Sequence, residues 1–143
     1  MPAYQTNDTK LEVPDGFIDR TVTRLDAKTA NGSTISIMMH RTPLLEGQAL
    51  ADAVASHIRD AASGLRAHAV LENREAQVAG QPAFDIAMRW RDDDGMVYAR
   101  EAHAEIEGTW LILTATGPLE ERELCDSCFE YVIPTIQLKT GWG

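Results

Sequence analysis

A chain of 143 residues with 44% apolar side chains can bury the core of one domain, and its formal net charge of −9 excludes the basic patch that nucleic-acid binding needs. The same charge opposes docking on an anionic membrane surface. No apolar run approaches the roughly 20 residues that cross a bilayer, so direct membrane insertion is not expected.

Met1 to Lys10 is polar and is read as free of a secretory signal. Tyr4 to Val13 predicts a short first strand, closed by the turn Pro14-Asp15-Gly16. Ile18 to Asp26 predicts a second strand and Ser33 to Arg41 a third. Asn31-Gly32 is a hairpin-turn dipeptide. With that dipeptide at the tip, Arg24 lies opposite Met39 and Val22 opposite Arg41. Val22, Arg24, Ile37 and Met39 then share one face.

Pro43 ends the third strand. Gly47 to Ser63 has helical period, with Leu50, Val54, His57, Ile58, Ala61 and Leu65 on one stripe and Gly64 as C-terminal cap. Val70 to Val78 and Ala83 to Arg91 predict two further strands, separated by Gly80-Gln81-Pro82. In the second of these, Phe84, Ile86, Met88 and Trp90 alternate with Asp85, Ala87, Arg89 and Arg91. A three-residue loop at Asp92 to Asp94 puts the large apolar set on the helix-covered face. A shorter turn sends it to the other face and presses Arg89 and Arg91 against the helices, so the three-residue loop is expected.

Gly95 to Thr116 predicts a hairpin with its turn at Glu107-Gly108. Ile106 then pairs with Thr109, Ala104 with Leu111 and Ala102 with Leu113, a small apolar face suited to close helix packing. The opposite face carries Glu101, His103, Glu105, Trp110, Ile112 and Thr114. It mixes large apolar groups with carboxylates and an imidazole, and exposed apolar area of that kind marks a binding surface. The last helix starts at Gly117-Pro118, buries Leu124, Cys125, Cys128, Phe129 and Val132, and stops or kinks at Pro134. The tail to Gly143 is expected to be irregular. The whole is one α+β domain over 1–143, a mostly antiparallel sheet of six or seven strands flanked by helices.

Little in this pattern carries chemistry. Cys125 and Cys128 form a C-x-x-C, but the pair falls in mid-helix and has no further zinc ligands, so two small buried residues in a reducing compartment fit better. His40, His57, His68 and His103 fall on different elements. A metal site from Glu101, His103 and Glu105, or an acid–base pair of Glu101 and His103, is geometrically possible. A partly solvated strand face is the plainer account. Asp92-Asp93-Asp94-Gly95 lacks calcium-loop spacing and reads as a solvated tip. No nucleophile elbow, phosphate loop or dinucleotide fingerprint occurs, so neither an enzyme nor a cofactor is expected. What remains is the mixed face, with apolar Val22, Ile37, Met39, Trp110 and Ile112 beside polar Arg24, Glu101, His103 and Thr114. A second subunit, a loop or a helix covering it for stability alone would account for it equally.

Met1-Pro2-Ala3-Tyr4 with Asn7-Asp8, Pro14-Asp15-Gly16-Phe17, Asp19-Arg20-Thr21-Val22, Tyr98-Ala99-Arg100-Glu101-Ala102 and the run Trp110 to Thr116 together resemble the DcrB-related family. Within it the chain looks most like the Eag chaperones, the effector-associated proteins of type VI secretion. The resemblance implies a PsbP-like fold with a concave open sheet face and a cytoplasmic homodimer. It implies that this face binds the hydrophobic N-terminal transmembrane segments of a secreted toxin before export. By position, Val22 and Met39 would supply apolar contacts and Glu101 the polar one. Arg24 stands where an apolar residue would be more comfortable and Glu101 where an amide would be expected, and the two are placed to pair. A small-ligand carrier or enzyme using Glu101 and His103, and an adaptor for a folded partner, are the competing readings.

Overall fold

Alternation of polar and apolar residues over long stretches of the second half of the chain builds four strands joined by tight turns, and the first half adds two more to the same sheet. The computed structural model describes residues 3–5, 10–12, 14–16 and 20–138. β1 (Ala3–Gln5) and β2 (Lys10–Glu12) pair with each other in a separate two-stranded sheet. The single strand expected from Tyr4 to Val13 is thus two. Val13, the Ile18 start of the next expected strand and the tail beyond Leu138 lie outside the described residues.

The main sheet contains β3 (Val22–Lys28), β4 (Thr34–Pro43), β5 (Arg66–Val78), β6 (Gln81–Asp92), β7 (Gly95–Ile106) and β8 (Thr109–Pro118), in the order β3-β4-β8-β7-β6-β5. Every pairing is antiparallel. β5 to β8 form a meander, and β4 docks on β8. Helix α1 (Leu50–Gly64) carries the chain from β4 to the β5 edge, and α2 (Arg122–Val132) follows β8.

The helices lie on opposite faces. α1 sets Leu50, Val54 and Ile58 against Ile86, Met88 and Ala99, with Phe84, Trp90 and Trp110 around them. α2 sets Cys125 and Phe129 against Tyr98, Ala102, Ala104, Leu113 and Ala115. The small residues let α2 approach closely: a Cβ on Gly117 would meet Cys125 Sγ of α2 at 3.4 Å, and Ile35 Cγ2 of β4 at 2.8 Å. The β7–β8 register is as read from the sequence, with Ile106 opposite Thr109, Ala104 opposite Leu111 and Ala102 opposite Leu113.

Two other hairpins differ. In β3–β4 the Thr29 N–H donates to Ser33 O (2.8 Å) and the Gly32 N–H to Thr29 O (3.0 Å), closing a longer loop around Asn31-Gly32. Lys28 therefore pairs with Thr34, Arg24 with Met38 and Val22 with His40. A slip of one residue exchanges faces. Ile37 and Met39 turn to the α2 side and pack on its core, while Met38 and His40 join Val22 and Arg24.

In β6–β7, Asp92 pairs with Gly95 and its carboxylate accepts the Asp94 N–H at 2.8 Å, so the turn is the shorter one. Phe84, Ile86, Met88 and Trp90 consequently lie under α1, on the face of Glu101 and His103. Of the charges this exchange brings to the α2 face, Arg91 stays exposed, Arg89 is half-buried and Asp85 is paired. Asp85 accepts from buried Arg100 at 3.0 and 2.8 Å, and Glu130 of α2 takes a third bond at 2.8 Å.

Smaller corrections have local causes. Gly64 is the last residue of α1, and the chain leaves through extended Leu65 instead of a left-handed cap. Leu124 is exposed. Cys125 lies in the first turns of α2, not mid-helix, and burial pushes its thiol up to about 11, which leaves it a packing residue.

The Arg100–Asp85 pair is buried on both sides, so removing one partner strands the other. Asp85→Ala is expected to lower stability by about 3 kcal/mol, read as a reduced midpoint in urea at unchanged slope.

Candidate functional site

α1 covers β6, β7 and part of β5, and leaves the rest of its face of the sheet open. β4 presents Met38 and His40 there, β8 presents Ile112, Thr114 and Thr116, and β3 adds Val22 and Arg24 at the rim. Between β4 and α1 runs a groove of about 220 Å³, floored by Met38, His40, Ala99, Ile112, Thr114 and Thr116 and walled by His57, Trp90 and Glu101. A larger hollow of about 720 Å³ lies at the β5–β6 and β7–β8 turns, with Glu75, Glu105 and Glu107 at its rim. It contains none of the mixed-face residues apart from Glu105, and the groove is the better candidate.

Glu101 is the pivot of the groove. The pleat of β7 aims it at α1, where Oε1 accepts hydrogen bonds from His57 Nε2 (3.1 Å) and His103 Nε2 (2.9 Å). Burial alone would raise its carboxyl. The hydrogen bonds from the two imidazoles outweigh that and hold it at about 2. Glu101 is therefore an ionised carboxylate at neutral pH, and His57 donates to it. His57 is raised in turn by that bond, against the opposing effect of its own burial.

His103 is fully buried, and its Nδ1 accepts the indole N–H of Trp110 at 3.1 Å. Since an indole only donates, the His103 proton sits on Nε2, toward Glu101. The rings of His57, His103 and Trp110 pack edge-on or tilted around this chain, with centroids 5.1 to 5.9 Å apart.

The nitrogens of His57 and His103 and a carboxylate oxygen of Glu101 all lie within 4.8 Å of one another, close enough to hold a metal ion. The donor set does not suit one. A metal on His103 Nε2 needs a proton on Nδ1 with an acceptor beyond it, and Trp110 offers a donor there. The arrangement is a hydrogen-bonded clamp of α1 onto the sheet.

The structure thus brings Val22, Arg24, Glu101, Ile112 and Thr114 to the open face. Trp110 and His103 are on the same face but beneath α1, and Ile37 and Met39 are on the other. Glu105 is exposed and outside the clamp. Arg24 binds Asp26 (2.9 Å) instead of Glu101. Sequence reasoning missed His40 and His57 as site residues, and put Met39 where Met38 stands. His57 did stand out on the stripe of α1, but its partner is 44 residues away.

Because the folded-state value of His57 lies above 6.5, its contribution is full below that pH and fades as pH rises through the folded value. The melting temperature lost on His57→Ala is expected to be larger at pH 5.5 than at pH 8, by scanning calorimetry at the two values.

A DcrB family model matches residues 8–133. No curated protein matches the sequence. Among solved structures, PA94, a Pseudomonas aeruginosa protein of unknown function and candidate regulator, superposes with a TM-score of 0.87 at 18% identity over 99% of each chain. PsbP of the cyanobacterium Synechocystis superposes with a TM-score of 0.54 at 12% identity, over 94% of this chain and 89% of that one. At such identities the likeness concerns the fold, which is PsbP-like. Neither name carries an enzymatic activity, and among the described residues no helix is long and apolar enough to cross a membrane. With the family model spanning most of its length, the chain belongs to the DcrB family.

Proposed function

We propose that this protein is a cytoplasmic chaperone that shields hydrophobic N-terminal transmembrane segments of a type VI secretion effector before export. The observation that carries the reading is the open sheet face beside α1, where apolar Met38 and Ile112 floor a groove walled by an ionised carboxylate, with exposed Val22 at its rim. Covering apolar helix surface in water is worth roughly 25 cal/mol per Å², so an apolar floor supplies the affinity. Transmembrane helices also pack through small residues and hydrogen bonds. Both clamp bonds fall on Oε1 of Glu101, which leaves Oε2 to accept from a serine or threonine hydroxyl of the client. Met38 adapts its shape to varied clients. The resemblance to the Eag chaperones, given above, points the same way.

An enzyme built on Glu101 and His103 is the weaker reading. His103 has no exposed surface, and both of its nitrogens are engaged within the protein.

The test is co-expression with the hydrophobic N-terminal region of a toxin encoded beside this gene, followed by pull-down. Val22→Asp and Met38→Asp are expected to cut capture at least about tenfold, since an unpaired carboxylate against an apolar helix costs more than the ~1.4 kcal/mol that a decade represents. Tyr131→Asp, on exposed α2 surface, serves as the control and should capture normally. Undiminished capture by both groove variants, with circular dichroism unchanged, would show that the client sits elsewhere. Met39→Asp is expected to unfold the domain instead, because Met39 packs under α2.

A further inference from the structure

The hollow of about 720 Å³ at the β5–β6 and β7–β8 turns has no part in the groove or in the helix clamps. It opens beside the first turn of α1 and shares no residue with the groove at His57. Its volume falls in the range of roughly 300–1,000 Å³ that ligand sites occupy. The floor is apolar, with Leu50 from α1 and Pro82 and Phe84 from β6. Phe84 packs against the core under α1 yet stays half-buried, so part of it lines the hollow.

Glu75, Glu105 and Glu107 stand around this floor, and all three are exposed. Glu75 lies directly opposite Phe84 across the β5–β6 pair. Phe84 in turn lies opposite His103, two residues before Glu105. No Lys or Arg lines the hollow. Among the described residues none of the three glutamates has a hydrogen-bond or ion-pair partner. Asp85, Glu101 and Glu121, by contrast, are all answered by groups of the chain itself.

We propose that this hollow docks a short basic segment of a protein partner, with one large apolar side chain on the floor and Lys or Arg on either side of it. Charge complementarity selects the occupant. A neutral or acidic segment covering the floor would take water from three carboxylates and give them nothing in return. Lys and Arg answer those carboxylates, and their aliphatic stems cover apolar surface while the charged heads stay at the rim. An arginine head also suits the face of the Phe84 ring. The formal net charge of −9 speeds encounter with a basic partner and repels nucleic acid and anionic lipid. A small polyamine would satisfy the carboxylates but leave the floor uncovered, so a protein segment is the better fit.

The proposal is independent of what the groove binds, and its test uses the full chain without client. The probe is a fluorescein-labelled peptide with a Leu-Trp centre between two Lys-Arg pairs, read by fluorescence anisotropy. Saturable binding is expected. Combining Glu75→Gln, Glu105→Gln and Glu107→Gln should weaken it at least about tenfold. Ala51→Arg, which sets a cation of the chain's own at the hollow, should do the same. So should exchanging Leu-Trp in the peptide for Gly-Ser. Glu46→Gln, Glu120→Gln and Glu123→Gln combined remove equal charge from exposed positions elsewhere and should leave binding unchanged. No binding, equal binding of the Gly-Ser peptide, or an equal loss in the two triple variants would each overturn the proposal. If a variant fails to fold, the peptide exchange on the unaltered chain decides. Client capture is read in its own pull-down, so either reading can fail while the other stands.

Discussion

Two neighbouring residues of β7 hold the helices to the sheet. The pleat sends Arg100 to one face and Glu101 to the other. Arg100 engages Asp85 within the sheet and reaches Glu130 on α2, with its guanidinium 4.5 Å from the centre of the Phe129 ring. Glu101 reaches His57 on α1 and is backed by His103. Each charge is buried, and each is matched by partners from its own sheet and from the helix above it. That is the condition under which buried charges are tolerated and impose one geometry. The order of α1, sheet and α2 thus rests on a pair of adjacent, oppositely charged side chains in a central strand.

The clamp on the α1 side also sets what the open face can offer. It uses one oxygen of Glu101 to hold the helix and keeps the carboxylate ionised in a largely desolvated position. Trp110 closes the chain from below by donating to the far nitrogen of His103. An imidazole fixed on both sides cannot act on a substrate. The same groups that invite a catalytic or metal-binding reading from sequence are therefore the fasteners of the groove wall, and the apolar floor lies beside them.

How far the sequence could be read depended on the turns. Glu107-Gly108 is a two-residue connection, with Glu107 and Gly108 both at positive φ, and every pair of β7–β8 followed from it. Asn31-Gly32 looks equally informative, yet backbone bonds at Thr29 and Ser33 enlarge the loop and shift the register by one. That single residue exchanged Ile37 and Met39 for Met38 and His40 on the candidate face. In β6–β7 the argument from buried arginines failed because Arg91 is exposed at the strand end and Arg89 is only half-buried, while the buried acid on their face, Asp85, is answered by Arg100 of the next strand. Local patterns carry parity only when the turn is unambiguous, and distant charge partners leave no mark in a local pattern. The clamp was half visible, in Glu101 and His103 as strand neighbours, and its α1 member was not.

The seam between β4 and β8 has a consequence for synthesis. Residues 38 and 114 pair across it, so the groove floor joins parts of the chain made at quite different times. The β5–β8 meander closes through near neighbours, whereas β4 waits for a strand some seventy residues downstream, a contact with a high loop-closure cost. Until β8 has left the ribosome, Met38 and Ile112 are not on one surface. The groove floor therefore arrives with the last third of the chain, and a truncated product has no half-formed version of it.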